Sequence, residues 1–140
     1  MQRVVSNVIR AVRDLSVGVR SAWAVPGVIG RRLAPLLERP VSTAAPASAD
    51  VRLAVRASHA ALARLARVSG THWRNTCLYR SVAECLVLRS FGLPAYVVIG
   101  VGNGAERADV IAHAWVECDG VQCLSTRGQA ELETLASRAS

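Results

Sequence analysis

Residues 75–101 read NTCLYRSVAECLVLRSFGLPAYVVIGV, and residues 110–120 read VIAHAWVECDG. Within the first stretch the apolar period changes once, and that change decides the fold. Leu78, Val82, Cys85 and Leu86 recur at helical spacing with Arg89 closing the run, so a helix opens at Cys77 and runs to Phe91. Gly92-Leu93-Pro94 stops it. The run that follows, AYVVIGV over 95–101, is short and rich in β-branched residues, which predicts a strand, and the glycine-containing stretch 102–108 reads as a loop. VIAHAWVEC over 110–118 is a second strand, Asp119-Gly120 the turn and Val121–Thr126 a third strand. Helices followed by an antiparallel meander make an α+β domain.

Working outward, Thr71–Thr76 is irregular and precedes the Cys77 helix. Before it, Asp50 caps a helix whose apolar residues Val51, Val55, Leu62 and Leu65 keep the helical period until Ser69-Gly70. His59 in that helix is read as structural or surface, because no second ligand-type residue stands one turn away. Residues 40–49, PVSTAAPASA, read as a linker. Upstream, Arg3, Arg10, Arg13 and Arg20 recur at helical spacing and leave Val5, Ile9, Val12 and Val19 on another face, the mark of an amphipathic helix. It is expected to break around Pro26-Gly27 and to resume through Leu33, Leu36 and Leu37. Its apolar face is expected to pack on the core, with docking to a partner or membrane as the alternative. The predicted organisation is an N-terminal helical segment (1–40), a linker (41–49) and an α+β domain (50–140).

At 140 residues the chain has room for one core. Hydrophobic residues make up 51% and charged residues 19%, an apolar balance that points to some covered surface. All 17 basic side chains are Arg, and the net charge of +7 favours acidic partners. It permits an anionic membrane surface without requiring one. No basic cluster is interleaved with aromatics and no zinc-finger spacing occurs, so nucleic acid is not expected as a partner. Ser21–Gly30 is short and contains Pro26, so neither an export signal nor a membrane span is predicted, and the expected location is the cytoplasm.

Two residues carry chemistry. Cys77 stands at a helix start, where unpaired N–H groups and the helix dipole favour a negative charge, and only the ionised sulfur attacks a carbonyl well. Arg80, one turn on, is a candidate helper. His113 sits in mid-strand between Ala112 and Ala114, which leave room for a substrate chain. Alternation puts Trp115 and Glu117 on the His113 face. A Cys at a helix start facing a His on an antiparallel sheet is the arrangement shared by papain-like and transglutaminase-like enzymes. For the oxyanion, the Cys77 N–H is the natural donor, with Asn75 or Trp73 as side-chain helpers. Cys85 reads as core, and Cys118 and Cys123 lack the spacing and histidine partners of a zinc site, so no metal is expected. GVGNG (100–104) lies between strands rather than before a helix, so no phosphate cofactor is expected.

The segments 75–101 and 112–120 resemble the lasso-peptide leader peptidases, a branch of the transglutaminase-like superfamily. The likeness rests on Cys-Leu-x-Arg-Ser opening a helix, Phe-Gly-Leu-Pro-Ala leading into a strand that ends Ile-Gly-Val, and Ala-His-Ala-Trp-Val-Glu before Asp-Gly. It implies a papain/transglutaminase-like core and a cysteine peptidase that removes the leader from a ribosomally made precursor. Its implied partners are that precursor, a separate leader-recognition protein and an ATP-dependent cyclase. Cys77 matches the family nucleophile and His113 the base. Where the family has an Asp about a dozen residues beyond the His, this chain has Ser125. A three-residue connection at Cys118-Asp119-Gly120 would pair Glu117 with Val121 and His113 with Ser125, the same position. A hydroxyl fixes the imidazole tautomer but brings no charge, and Glu117, Asp119 or Glu131 are the acids that could replace the missing one. The competing reading keeps the fold without the chemistry, as a scaffold presenting precursor to the cyclase. A third resolves the acyl-enzyme with an amine instead of water.

Overall fold

The computed structural model describes residues 2–40, 51–69, 72–103, 110–118 and 121–122. Among these residues four helices precede the sheet: α1 (Gln2–Arg31), α2 (Ala34–Leu37), α3 (Val51–Val68) and α4 (Cys77–Ser90). Among the described residues the sheet has three antiparallel strands in the order β1 (Ala95–Asn103), β2 (Val110–Cys118) and β3 (Val121–Gln122). The expected α+β order of helices and then a meander is the one found. The linker at 41–49, the Asp50 cap and the loop beyond Asn103 lie outside the described residues.

Helix α1 differs from expectation in two ways. It passes through Pro26 without a break, ending instead at Arg32-Leu33 before the short α2. Proline removes one N–H and crowds the carbonyl four residues back, but Val25 is buried and Val28 and Ile29 pack on the core, so tertiary contact holds the turn together. The second difference concerns which face is buried. Asp14, Gly18, Ser21, Ala22 and Val25 face inward, whereas Val5, Ile9, Val12 and Val19, expected in the core, are half or more exposed. The small residues win because α1 lies close against α3: a Cβ on Gly18 would run into the Ala54 carbonyl oxygen and come within 2.8 Å of Ala57 Cβ. A Val stripe could not approach that closely.

In α3, Val55 and Leu62 are buried and Val51 and Leu65 pack at the margin, as their spacing predicts. Helix α4 is the centre of the molecule, packed by α1 and α3 on one side and by β1 and β2 on the other. Val82, Ala83, Cys85, Val87 and Leu88 are all buried. Its end is a tight reversal in which Gly92 takes φ 79°, Gly92 N–H donates to Arg89 C=O (3.0 Å) and Leu93 N–H donates to Leu88 C=O (3.0 Å). Arg89 then fastens the corner, donating from Nε to Ala95 C=O (2.7 Å) and from Nη2 to Glu38 C=O (3.0 Å).

Strands β1 and β2 pair from Ala95↔Cys118 to Asn103↔Val110, which sets Gly100 opposite His113. Ala95, Val97, Ala114 and Val116 are buried in the common core. By strand alternation Tyr96, Val98, Gly100, His113, Trp115 and Glu117 form the other face. The second hairpin departs from the expected register. Cys118 pairs with Val121 and Glu117 with Gln122, so the connection spans two residues rather than three. A one-residue slip exchanges the faces of a strand, and the geometric argument that put Ser125 opposite His113 therefore loses its footing.

Candidate active site

Thr76 opens α4 with extended backbone (φ −94°, ψ 166°), and its hydroxyl accepts from Tyr79 N–H at 3.5 Å. Its carbonyl takes the Arg80 N–H at 3.0 Å. This cap makes Cys77 the first helical residue, half-buried and with a free thiol. Among the described residues, the N–H groups of Cys77 and Leu78 have no protein acceptor. They are the unfilled donors a helix start offers to an anion, next to the sulfur. Tyr79 reinforces the approach, donating its hydroxyl to His72 C=O (3.2 Å). Asn75, the proposed oxyanion helper, is exposed, while Trp73 is half-buried with its Nε1 buried and without an acceptor among the described residues.

His113 lies in the middle of β2, half-buried, and its Nε2 is buried without a hydrogen-bond partner among the described residues. A buried ring nitrogen left unmatched is costly unless a substrate or another side chain meets it. The ring stacks on Trp115, centroids 6.0 Å apart and planes at 19°. Trp115 is itself fixed: its Nε1 donates to Glu117 Oε1 (2.9 Å), and Glu117 Oε2 accepts from Tyr96 O–H (2.7 Å). Those two bonds hold the Glu117 carboxyl below its ordinary range and ionised at neutral pH. Across the sheet the Trp115 ring lies on Gly100, where a Cβ would stand 2.8 Å from two ring carbons. Glu117, expected as a replacement acid for His113, thus serves Trp115 and Tyr96 instead.

The helix bearing Cys77 and the strand bearing His113 are tied together by one buried bond. Ser81, one turn beyond Cys77, donates from Oγ to the carbonyl of Ala114, the residue after His113 (2.9 Å). No hydrogen bond links Cys77 to His113 among the described residues, and Ser125, Asp119 and Glu131 lie outside them. The other cysteines sort cleanly. Cys85 is fully buried, contacts Ala95 C=O at 3.4 Å, and burial pushes its thiol up to about 11, so it is inert. Cys118 is disulfide-bonded. Among the described residues no three His, Cys, Asp or Glu side chains gather closely enough to hold a metal.

Two turns along α4 from Cys77 is a polar group that the sequence did not announce. Glu84, only 1% exposed, lies 3.6 Å from His59 Nε2 on α3. Burial raises the Glu84 carboxyl to about 7 against the opposing pull of Arg80, and burial together with Arg80 lowers His59. Each partner is pushed toward neutrality, so the contact is not a strong ion pair. His59, read as structural or surface, is half-buried at this contact. Arg80, expected as a helper to Cys77, stands close enough to act electrostatically on this buried pair.

A family model described as the transglutaminase-like superfamily matches residues 15–137. No curated protein and no solved structure matches the chain.

Proposed function

The chain belongs to the transglutaminase-like superfamily, and on that premise we propose that it is a cysteine peptidase that cleaves the leader from a ribosomally made lasso-peptide precursor. The observation that carries the reading is the half-buried free thiol of Cys77 at the start of α4, beside the N–H groups of Cys77 and Leu78 that have no acceptor among the described residues. The sequence motifs around Cys77 and His113 support the finer assignment to leader removal.

In this reading His113 takes the thiol proton, and Cys77 Sγ attacks the carbonyl carbon at the end of the leader. The developing oxyanion is met by the open N–H groups of Cys77 and Leu78. His113 returns the proton to the departing amine, water hydrolyses the thioester, and the free amine becomes available to the cyclase. Trp115, stacked on the imidazole and fixed by Glu117, keeps the ring oriented and shields it from bulk water. Ser125 is proposed as the third residue on its family position alone, accepting from the imidazole N–H.

The test is incubation of the purified chain with precursor and leader-recognition protein, followed by mass spectrometry. A released leader and a transient mass adduct on Cys77 are expected. Cys77→Ala should abolish both, a loss of at least about 10³-fold. Cleavage that persists in Cys77→Ala would falsify the thiol mechanism. An intact precursor bound by the wild-type chain would favour the scaffold reading.

A further inference from the structure

Helix α1 carries a surface that neither the core nor the candidate active site uses. Val4, Val5, Val8, Ile9, Val12, Leu15, Val19 and Trp23 are each between 41% and 65% exposed. At 100° per residue they fall on one arc of the helix with only Ser16 and, at its inner edge, the buried Ala22 among them and no charged residue, a stripe roughly 28 Å long. Scattered apolar side chains are ordinary on a surface, but a continuous stripe of this length signals a binding face.

The charges beside the stripe indicate what it meets. Arg3, Arg10, Arg13, Arg20 and Arg31 are all exposed, and the helix's single acid, Asp14, is buried. Arg13 and Arg20 lie along one margin of the stripe, where their long stems can follow the apolar surface while the guanidinium groups reach anions. Trp23 closes the far end with its ring in contact with Trp73, centroids 5.0 Å apart. We propose that the exposed face of α1 docks in the plane of an anionic lipid leaflet, with the valines among the acyl chains and Arg13 and Arg20 at the phosphates.

A second copy of the chain fits less well. A two-fold antiparallel pair of α1 helices would set the Arg13–Arg20 margin against itself. A folded protein partner fits less well too, because interface anchors are central aromatic or Arg side chains, whereas the centre of this stripe is Val8, Ile9 and Val12 and its only aromatic is terminal. The helix lies on the leaflet rather than crossing it: among the described residues no helix is long and apolar enough to span a membrane. A broad apolar arc bordered by Arg with Trp at one end is the pattern of an interfacial helix.

The full chain is tested by co-sedimentation with phosphatidylcholine vesicles containing about 30% phosphatidylglycerol, against vesicles of phosphatidylcholine alone. Binding to the anionic vesicles is expected, at least about tenfold weaker without the anionic lipid or when salt rises from about 50 to about 500 mM. Ile9→Asp with Val12→Asp should lower partition by at least about tenfold while helix content and thermal midpoint stay at wild-type values, since both side chains are exposed. Arg13→Gln with Arg20→Gln, which leaves the apolar face intact, should remove most of the preference for anionic lipid. Failure to bind anionic vesicles, or binding untouched by the Asp substitutions, overturns the proposal. So does a solution dimer, or a complex with a recognition protein, that the same Asp pair dissolves while vesicles are ignored.

Discussion

At the scale of single residues, the molecule holds two ionisable groups in opposite senses. Glu117 is held charged by two donors, and Glu84 is driven toward the neutral form by burial. The second has a consequence for stability. Unfolded, Glu84 titrates near 4.5, and folded it titrates at about 7, so between those values the native state retains a proton that the unfolded state has lost. Its contribution is therefore complete below about pH 4.5 and is lost as pH rises through about 7, a swing on the order of 3 kcal/mol. His59, shifted below its ordinary value, works the other way, with stability present above 6.5 and lost as pH falls through its lowered folded value. Glu84→Gln is expected to flatten the decline toward alkaline pH and to leave the protein about 1–3 kcal/mol more stable at pH 8, measured by urea titration across the pH range. The places of Cys77 at a helix start, His113 in mid-strand and Cys85 in the core were legible in the sequence, because each sits in a motif or a period that assigns it one. Glu84 was not, since an acid between Ala83 and Cys85 gives no local sign of how deeply its helix is buried. Nor was Gly100, whose role depends on a Trp that reaches it only across a strand pair.

At the scale of elements, helix ends and strand runs followed from local chemistry: Thr76 and Gly92 bound α4, and the change from helical to alternating period marks β1. What local chemistry could not reveal was the rotation of α1. Both of its faces are plausible cores by composition, and the choice is made by closeness of approach, since only Gly18 admits the backbone of α3 at Ala54. Gly18→Ala should accordingly destabilise the fold by about 1–3 kcal/mol despite alanine's better helix propensity. The urea midpoint should fall with an unchanged slope, and an unchanged midpoint would show that the two helices are less tightly apposed than the contact implies. The hairpin register was equally out of reach, because a two-residue and a three-residue connection through Asp119-Gly120 differ only in backbone conformation.

At the scale of the whole molecule, α1 supplies Ala22 and Val25 to the same core as α3, α4 and the sheet, and the family match begins at residue 15, inside α1. Removing residues 2–40 is thus expected to expose the α3–α4 face and abolish cooperative thermal unfolding, read by circular dichroism; a truncated chain that still melts cooperatively would show that residues 51–122 form a core of their own. The Ser81–Ala114 bond has a further consequence in time. Helix α4 can form from contacts near in sequence, but the strand that brings His113 is fastened to it by a contact 33 residues away. A chain emerging from synthesis would therefore carry a helix with its cysteine before it carries a working pair, and the reactive centre would assemble only as the last strands dock. On the proposed peptidase reading, the chain stays silent toward neighbouring nascent chains until its own folding is finished.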